Sequence, residues 1–227
     1  MPENEQPQLG VHRIVSPFYD RDGITIYHAD ARDILPLLPM FDLVLTDPPY
    51  GLGDAWKRTW HGDNGETKHW GEVPEWDKAT EPWMFATMTK GRDAIVWGAN
   101  NYATPPTASW LAWDKIQDTK RAEFELAWST LKSGNKVFRM SRIDAYVNCA
   151  DDGKQHPNQK PVQLFEWCLS LFRDAKTVID PFMGSGTTLV SAKRAGLRAV
   201  GIDIDRRWCE VAVERLRQGV LGFGDEG

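Results

Sequence analysis

The chain is poor in cysteine. It has three in 227 residues (Cys149, Cys168 and Cys209), an odd number without a CxxC pair, which excludes a disulfide framework and suggests no metal site. No apolar run approaches the roughly 18 residues of a membrane span. Residues Met1 to Gly10 are polar and lack the basic start and apolar core of an export signal, so a cytoplasmic protein is expected. Positive charge is not in excess either: 27 Lys and Arg face 32 Asp and Glu, for a net charge of −5. A polyanionic partner would then have to be held by a local basic face rather than by bulk attraction. No repeat, low-complexity stretch or Ser/Gly linker divides the sequence. The length suits one full-sized core, so we expect a single domain over 1–227 with flexible ends at 1–10 and 218–227.

What is present is an alternation of short β-branched runs with helical ones. Strands are expected at Ile24–His28, Leu43–Thr46, Ala94–Trp97, Trp110–Trp113, Lys136–Met140, Thr177–Ile179 and Ala199–Ile202. Phe165, Cys168, Leu169 and Phe172 recur at helical spacing after Pro161, as do Trp208, Val211, Ala212 and Leu216 after Arg206. Strand and helix in alternation imply an α/β, Rossmann-like fold with a mostly parallel sheet covered on both faces. Ligands of such sheets sit at the carboxyl ends of the strands, and the unusual residues of this chain do follow strands.

Thr177 to Thr188 reads as a buried strand, a glycine turn and the start of a helix near Thr187. Gly184 and Gly186 permit a sharp turn and close approach of a ligand, and the helix start offers unpaired N–H groups. The turn is not a P-loop, and Leu189 stands where GxGxxG needs its third glycine, which argues against phosphate and against a dinucleotide oxidoreductase. Asp203, seventeen residues after Gly186, closes the next strand where doubly wound folds accept ribose hydroxyls. Earlier, the apolar strand Leu43–Thr46 ends in Asp47, Pro48, Pro49 and Tyr50. Two prolines in succession fix φ and remove two donors, leaving a rigid group of acceptors beside an aromatic ring.

Together these segments resemble the amino-group DNA methyltransferases, whose cofactor motif DPFxGSGTT runs here unbroken from Asp180 to Thr188 and is followed by GxD ending at Asp203. His156 to Pro161 is similar to the family's HPxQKP element, and His28-Ala-Asp30 to its acidic position near the cofactor's adenine. The resemblance implies an S-adenosyl-L-methionine-dependent methyltransferase fold. It also implies cofactor contacts at Asp30, Lys160, Pro161, Asp180, Pro181, Phe182, Gly184, Ser185, Gly186, Thr187 and Asp203, with Lys160 and Pro161 near the methionine end. Catalytic motif first and cofactor motif last is the permuted order of the beta class, which implies duplex DNA as substrate and a homodimer as a common assembly.

In that family Asp47, Pro48, Pro49 and Tyr50 form the catalytic motif. The amino nitrogen of adenine is a poor nucleophile because its lone pair is delocalised. The Asp47 carboxylate and Pro48 carbonyl would accept its hydrogens and turn the lone pair toward the methyl donor, while Tyr50 stacks on a base rotated out of the duplex. No cysteine follows a proline, which closes the thiolate route to carbon methylation of cytosine. Asp rather than Ser at position 47 favours adenine N6 over cytosine N4, the alternative with the same geometry. A silent DNA-binding protein of this fold is a further alternative, disfavoured by the complete pair of motifs.

DNA contacts are expected in two places. Residues 51–78 form a polar loop beside the catalytic motif, with Lys57 and Arg58 as phosphate contacts and Trp56 and Trp60 as the two tryptophans outside the core. Residues 115–155 form a recognition region. From Lys115 to Arg142 seven basic residues face three acidic ones, and Lys132, Lys136, Arg139 and Arg142 alternate with apolar residues. A charged edge strand explains the same pattern.

Overall fold

The computed structural model describes residues 15–51, 60–61, 67–68, 80–116, 122–145 and 159–218, with 60–61 and 67–68 described as backbone only. In chain order the strands are β1 (Tyr19–Arg21), β2 (Ile24–His28), β3 (Phe41–Thr46), β4 (Trp60–His61), β5 (Thr67–Lys68), β6 (Gly91–Trp97), β7 (Ser109–Asp114), β8 (Phe124–Ser129), β9 (Lys136–Arg139), β10 (Thr177–Asp180) and β11 (Arg198–Asp203). The α-helices are α1 (Ala31–Ile34), α2 (Pro82–Ala86), α3 (Val162–Ser170), α4 (Thr187–Arg194) and α5 (Arg206–Gln218). None of the described helices is long and apolar enough to cross a membrane.

Nine strands form one sheet in the order β1-β2-β11-β10-β3-β6-β8-β7-β9. The five from β2 to β6 are parallel throughout, β8 runs antiparallel to both its neighbours, and β9 is parallel to β7. The central strands are buried on both faces, so they read as continuous apolar runs rather than alternating ones. Leu43 and Leu45 of β3 point into one core with Leu164, Phe165 and Cys168 of α3, Leu189 of α4, and Cys209 and Ala212 of α5. Val44 between them points into the other, with Ile34 of α1 and Phe85 of α2. Cys168 and Cys209 are thus core residues, as their apolar periodicity suggests.

Two strands of this sheet, besides the separate pair β4 and β5, escape the sequence reading. β1 makes a hairpin with β2, so the strand ending at His28 is the second and not the first. β8 carries Glu125 and exposed Phe124 among its apolar residues, which hides it as a strand. The short helices α1 and α2 offer too few turns for a periodic pattern.

The topology fixes where a ligand can sit. β10 and β3 are adjacent and parallel, yet the chain leaves β10 toward β11 and leaves β3 toward β6, on opposite sides. Their carboxyl ends therefore flank a switch point, where diverging connections open a crevice. Asp180 ends β10, and Asp47 follows the last residue of β3.

Candidate active site

One cavity of about 490 Å³ opens at this switch point, within the roughly 300–1,000 Å³ of small-molecule and cofactor sites. It reaches from Asp30, Gly184 and Asp203 at one end to Asp47, Pro48 and Tyr50 at the other. The two motifs, more than a hundred residues apart in sequence, thus share a single space.

At the first end the backbone is bent into shape by glycine. Gly184 and Gly186 have φ of +50° and +80°, in the left-handed region that side-chain-bearing residues avoid. A Cβ at Gly184 would meet no protein atom, so its bare surface faces open space, and Gly184 lines the cavity. At Gly186 a Cβ would come within 2.7 Å of the Ala212 Cβ, so there glycine lets α5 pack against the start of α4. The Arg215 guanidinium ties the turn from behind, donating to the Ser185 carbonyl (2.8 Å) and to the Ser185 and Thr187 hydroxyls (both 3.2 Å). Asp203 accepts the Gly184 amide at 2.9 Å on Oδ2 and the Asp205 amide at 2.8 Å on Oδ1, which leaves lone pairs on both oxygens for hydroxyl donors. Burial pushes its carboxyl up to about 7, against the pull of those two amides.

Asp180 has a different task. Its side chain accepts the hydroxyls of Thr46 (2.7 Å) and Thr188 (2.5 Å) and the Phe182 amide (3.1 Å). It thereby binds β10 to the end of β3 and to α4. Burial raises its carboxyl to about 6.

Asp30 caps α1 through the Arg32 amide and is gripped by the Arg32 guanidinium, with the shortest contact at 2.6 Å. That hydrogen bonding holds its carboxyl below the usual range. It is a helix cap that also lines the cavity. The aromatic wall nearby comes from Trp83, whose ring lies 5.6 Å from Phe182 with the Arg32 guanidinium 5.1 Å from its centre, and from Trp208. Both tryptophans look like core residues in sequence, and only tertiary placement brings them to the cavity wall. Of the expected cofactor contacts, Pro161 and Gly186 stand behind the lining, Pro161 as the N-cap of α3.

At the second end Asp47, Pro48, Pro49 and Tyr50 line the cavity together. The segment is fastened from β6 and the turn after it. Gly98, at φ +66°, leaves room for the Tyr50 ring, which a Cβ would overlap, and the Tyr102 hydroxyl donates to the Pro49 carbonyl. These residues of the Trp97 to Tyr102 stretch have no evident role in sequence. Their role here is to seat the Asp47 to Tyr50 segment.

Lys160 spans the two ends of the cavity. Its backbone touches the start of α4, accepting the Thr187 hydroxyl at 3.3 Å, and its ammonium lies beside the Asp47 to Tyr50 segment. There it donates to Asp47 Oδ2 at 2.5 Å and Tyr50 Oη at 2.8 Å, and it pairs with Glu125 Oε2 at 3.1 Å. The Tyr50 hydroxyl donates to the other Asp47 oxygen. Glu125 in turn pairs with Lys115 at 2.6 Å, and both lysines are only 5% exposed. Burial would raise the Glu125 carboxyl, but Lys160 and Lys115 bring it down to about 2. Burial opposes charge on Lys160, yet Asp47 and Glu125 on either side hold its pKa well above the ordinary value. Burial raises both the Asp47 carboxyl, against the pull of Lys160, and the Tyr50 phenol. No motif flags Glu125 and Lys115. The only sequence signal is charge within or just past an apolar run, Glu125 inside β8 and Lys115 one residue beyond β7.

The expected DNA contacts divide. Lys57, Arg58 and Trp56 lie outside the described residues; of the expected loop 51–78 only 51, 60–61 and 67–68 are described, the two pairs as the antiparallel strands β4 and β5, with Trp60 in backbone only. Lys132, Lys136, Arg139 and Arg142 are exposed or half-buried on or beside β9, which is an edge strand, but they do not share a face. Lys136 alternates with exposed Val137 and lies on the side of Phe138, which packs against Trp167 at 5.5 Å, whereas Arg139 lies on the other side. Arg139 ends β9 at the rim of the sheet that carries the cavity, where it pairs with Asp114 at 3.2 Å. Lys132 precedes β9 at the opposite rim.

With this geometry in place, the chain belongs to the N6/N4 DNA methylase family: a family model described as DNA methylase matches residues 87–214, more than half of it. The match includes the glycine turn and Asp203 and begins after Asp47 to Tyr50. Among curated relatives, the Type II methyltransferase M2.LlaDCHI of Lactococcus lactis subsp. cremoris is 25% identical over 264 residues, spanning 95% of this chain and 97% of that one. Among solved structures, the M1.HpyAVI–SAM complex shares 23% identity at a TM-score of 0.50, covering 85% of this chain and all of that one. The cytosine-N4-specific PvuII DNA methyltransferase shares 15% at 0.55, covering 90% and 87%. These two show the shared fold.

Proposed function

We propose that the protein transfers a methyl group from S-adenosyl-L-methionine to the N6 amino group of adenine in duplex DNA, after rotating the base out of the helix. The observation that carries this reading is the continuity of the cavity between the glycine turn with Asp203 and the Asp47 to Tyr50 segment. A cofactor seated at the first end and a base at the second would meet at its middle. The residues suit the cofactor: bare backbone at Gly184, free lone pairs on Asp203 for ribose hydroxyls, and an aromatic wall of Trp83, Phe182 and Trp208 for a flat ring. When bound, it supplies an electrophilic methyl on a sulfonium centre.

The chain's own part is orientation and acceptance. The Asp47 carboxylate and the Pro48 carbonyl would take the two amino hydrogens, localising the nitrogen lone pair, and the proton released on methylation would leave through Asp47. Tyr50, seated on Gly98, would cover the flipped base. The Asp at position 47 supports adenine over cytosine, and the M1.HpyAVI–SAM complex supports the choice of donor. The test is to incubate the protein with labelled S-adenosyl-L-methionine and unmethylated duplex DNA, digest to nucleosides and identify the product by mass spectrometry. N6-methyladenine is expected. N4-methylcytosine would overturn the choice of base, and no methylated nucleoside would overturn the reading.

A further inference from the structure

Each oxygen of Asp47, the carboxylate proposed to accept the target amino group, already takes a hydrogen bond from within the protein, one of them from a cation that the amino group would have to compete with. One Asp47 oxygen accepts the Tyr50 hydroxyl, and the other accepts Lys160 at 2.5 Å. An ammonium has three N–H donors, and those of Lys160 are directed at Asp47, Tyr50 and Glu125, the last at 3.1 Å. Asp47, Tyr50 and Lys160 line the cavity, whereas Glu125 stands behind the wall. Glu125 is held there by Lys115 at 2.6 Å, from the chain just beyond the neighbouring strand β7, whose backbone pairing continues through the Lys115 amide to the Glu123 carbonyl at 2.9 Å.

From this arrangement we infer that Lys160 is a placeholder for the substrate's amino group, and that Glu125, fixed by Lys115, is the carboxylate onto which its ammonium withdraws when the base enters. The inference rests on the proposed methyl transfer and deepens it. Without Lys160, Asp47 would face a largely apolar cavity as an unpaired buried carboxylate, a costly state. With Lys160 but without Glu125, the ammonium would have no second acceptor and would stay on Asp47, competing with the base. The pair Lys115–Glu125 therefore acts through Lys160 and touches no substrate, so both are positioning residues. The charged and titratable groups around Lys160 are Asp47, Tyr50 and Glu125, with Lys115 behind Glu125 and Asp180 at the end of the adjacent strand.

The test is a cycle of variants of the full chain. Lys115→Met with Glu125→Gln removes the outer ion pair as a unit, so that no lone buried charge is left there, and Lys160→Met removes the placeholder. Three readouts are taken: the single-turnover methylation rate on unmethylated plasmid DNA, the affinity for S-adenosyl-L-methionine, and the fluorescence of 2-aminopurine at the methylated position in a short duplex. In the outer-pair variant the rate should fall at least about ten-fold, the equivalent of some 1.4 kcal/mol in the barrier. The 2-aminopurine signal of the flipped base should fall with it while cofactor affinity holds. Adding Lys160→Met should recover most of both losses, a rescue that a merely structural role for Glu125 cannot produce. A triple variant as impaired as the outer-pair variant, or more so, overturns the inference, as does an outer-pair variant that methylates and flips the base like wild type. If the outer-pair variant melts well below wild type, Glu125→Asp, which keeps a second carboxylate for the ammonium, decides instead: its rate and 2-aminopurine signal should stay well above those of the outer-pair variant, and a loss as large overturns the inference. Failure of the proposed function would look different, since wild type itself would then methylate nothing.

Discussion

Two adjacent strands of this protein end in aspartates that the fold treats in opposite ways. At the end of β10, Asp180 is satisfied by neutral donors, two threonine hydroxyls and an amide, all within the structure it braces. Just past the end of β3, Asp47 is satisfied by a cation and a phenol that both line the cavity. Neutral hydrogen bonds to a buried group are short-range and hold shape, whereas a buried ion pair is costly to desolvate and strongly destabilising to leave half-made. The difference separates a strut from a working group. The Asp180 network would be spoiled by rearrangement, while the Asp47 network is arranged so that one partner can move to a second carboxylate.

The sharpest way to break this comparison is to remove each acid. Asp47→Ala should lower methyl transfer by at least about a hundred-fold while cofactor affinity stays near wild type and melting temperature falls only modestly, because Lys160 keeps its second partner Glu125. Asp180→Ala should lower all three together, because Thr46, Thr188 and the Phe182 amide lose their acceptor. Calorimetric binding of S-adenosyl-L-methionine beside thermal melts of both variants checks this. Equal losses of binding and stability in the two would erase the distinction.

Within the glycine turn the same contrast recurs on a smaller scale. Alanine at either Gly184 or Gly186 meets a left-handed backbone, at roughly 1–2 kcal/mol each. Gly186→Ala also pushes against Ala212 and should lose more stability, whereas Gly184→Ala has room in the protein and should chiefly lose cofactor affinity. Thermal melts and binding isotherms of the two variants should therefore rank them in opposite orders.

The legibility of the molecule follows from the same physics. Backbone demands leave a mark in sequence: the apolar runs of β3, β10 and β11, the glycines at positive φ and the double proline are each visible because few residue types satisfy them. The parallel α/β class could be read from those marks, and the pairing of Asp47 with the glycine turn from the family resemblance that the same residues carry. Long-range side-chain partnerships leave no such mark. Glu125 and Lys115 read as charges in a basic stretch, Trp83 and Trp208 as core, and Gly98 as part of an unexplained turn, because each acquires its role from a residue distant in sequence. Lys160 was visible as a motif residue, but which end of the cavity its ammonium serves depends on Glu125, which no spacing rule connects to it.

A gentler comparison uses pH. Burial lifts Asp203 to about 7 and Asp180 to about 6, from an ordinary 3.8. Between about pH 4 and about pH 7 these two groups therefore hold protons in the folded protein that the unfolded chain has released, and their contribution to stability is greatest at the acid side of that window and falls as pH rises through it. Cofactor binding should run the other way, because ribose hydroxyls donate best to an ionised Asp203, so affinity rises as pH approaches and passes about 7. Asp203→Asn should flatten the affinity profile and leave a residual stability slope from Asp180. Calorimetry and melts across this range check both. A wild-type affinity that does not change with pH would remove the assignment of Asp203 to the hydroxyls.

The smallest expected effect lies on the edge strand and divides its basic residues by position. Arg139 ends β9 at the rim that carries the cavity, with Arg142 just beyond it, whereas Lys132 lies at the opposite rim. A duplex presenting a base to Asp47 passes the first rim and not the second. Each phosphate contact contributes about one unit to the slope of log affinity against log salt. Arg139→Ala and Arg142→Ala should therefore each weaken DNA binding a few-fold and reduce that slope by about one, with melting temperature unchanged. The effect of Arg139→Ala should be the smaller of the two, because part of its charge is already spent on Asp114 at 3.2 Å. Lys132→Ala should leave both affinity and slope as they are. If instead Lys132→Ala weakened binding as much as the arginines do, the duplex would have to run along the length of β9 rather than across its end, and the strand's alternating faces would leave only one of Lys136 and Arg139 able to reach it.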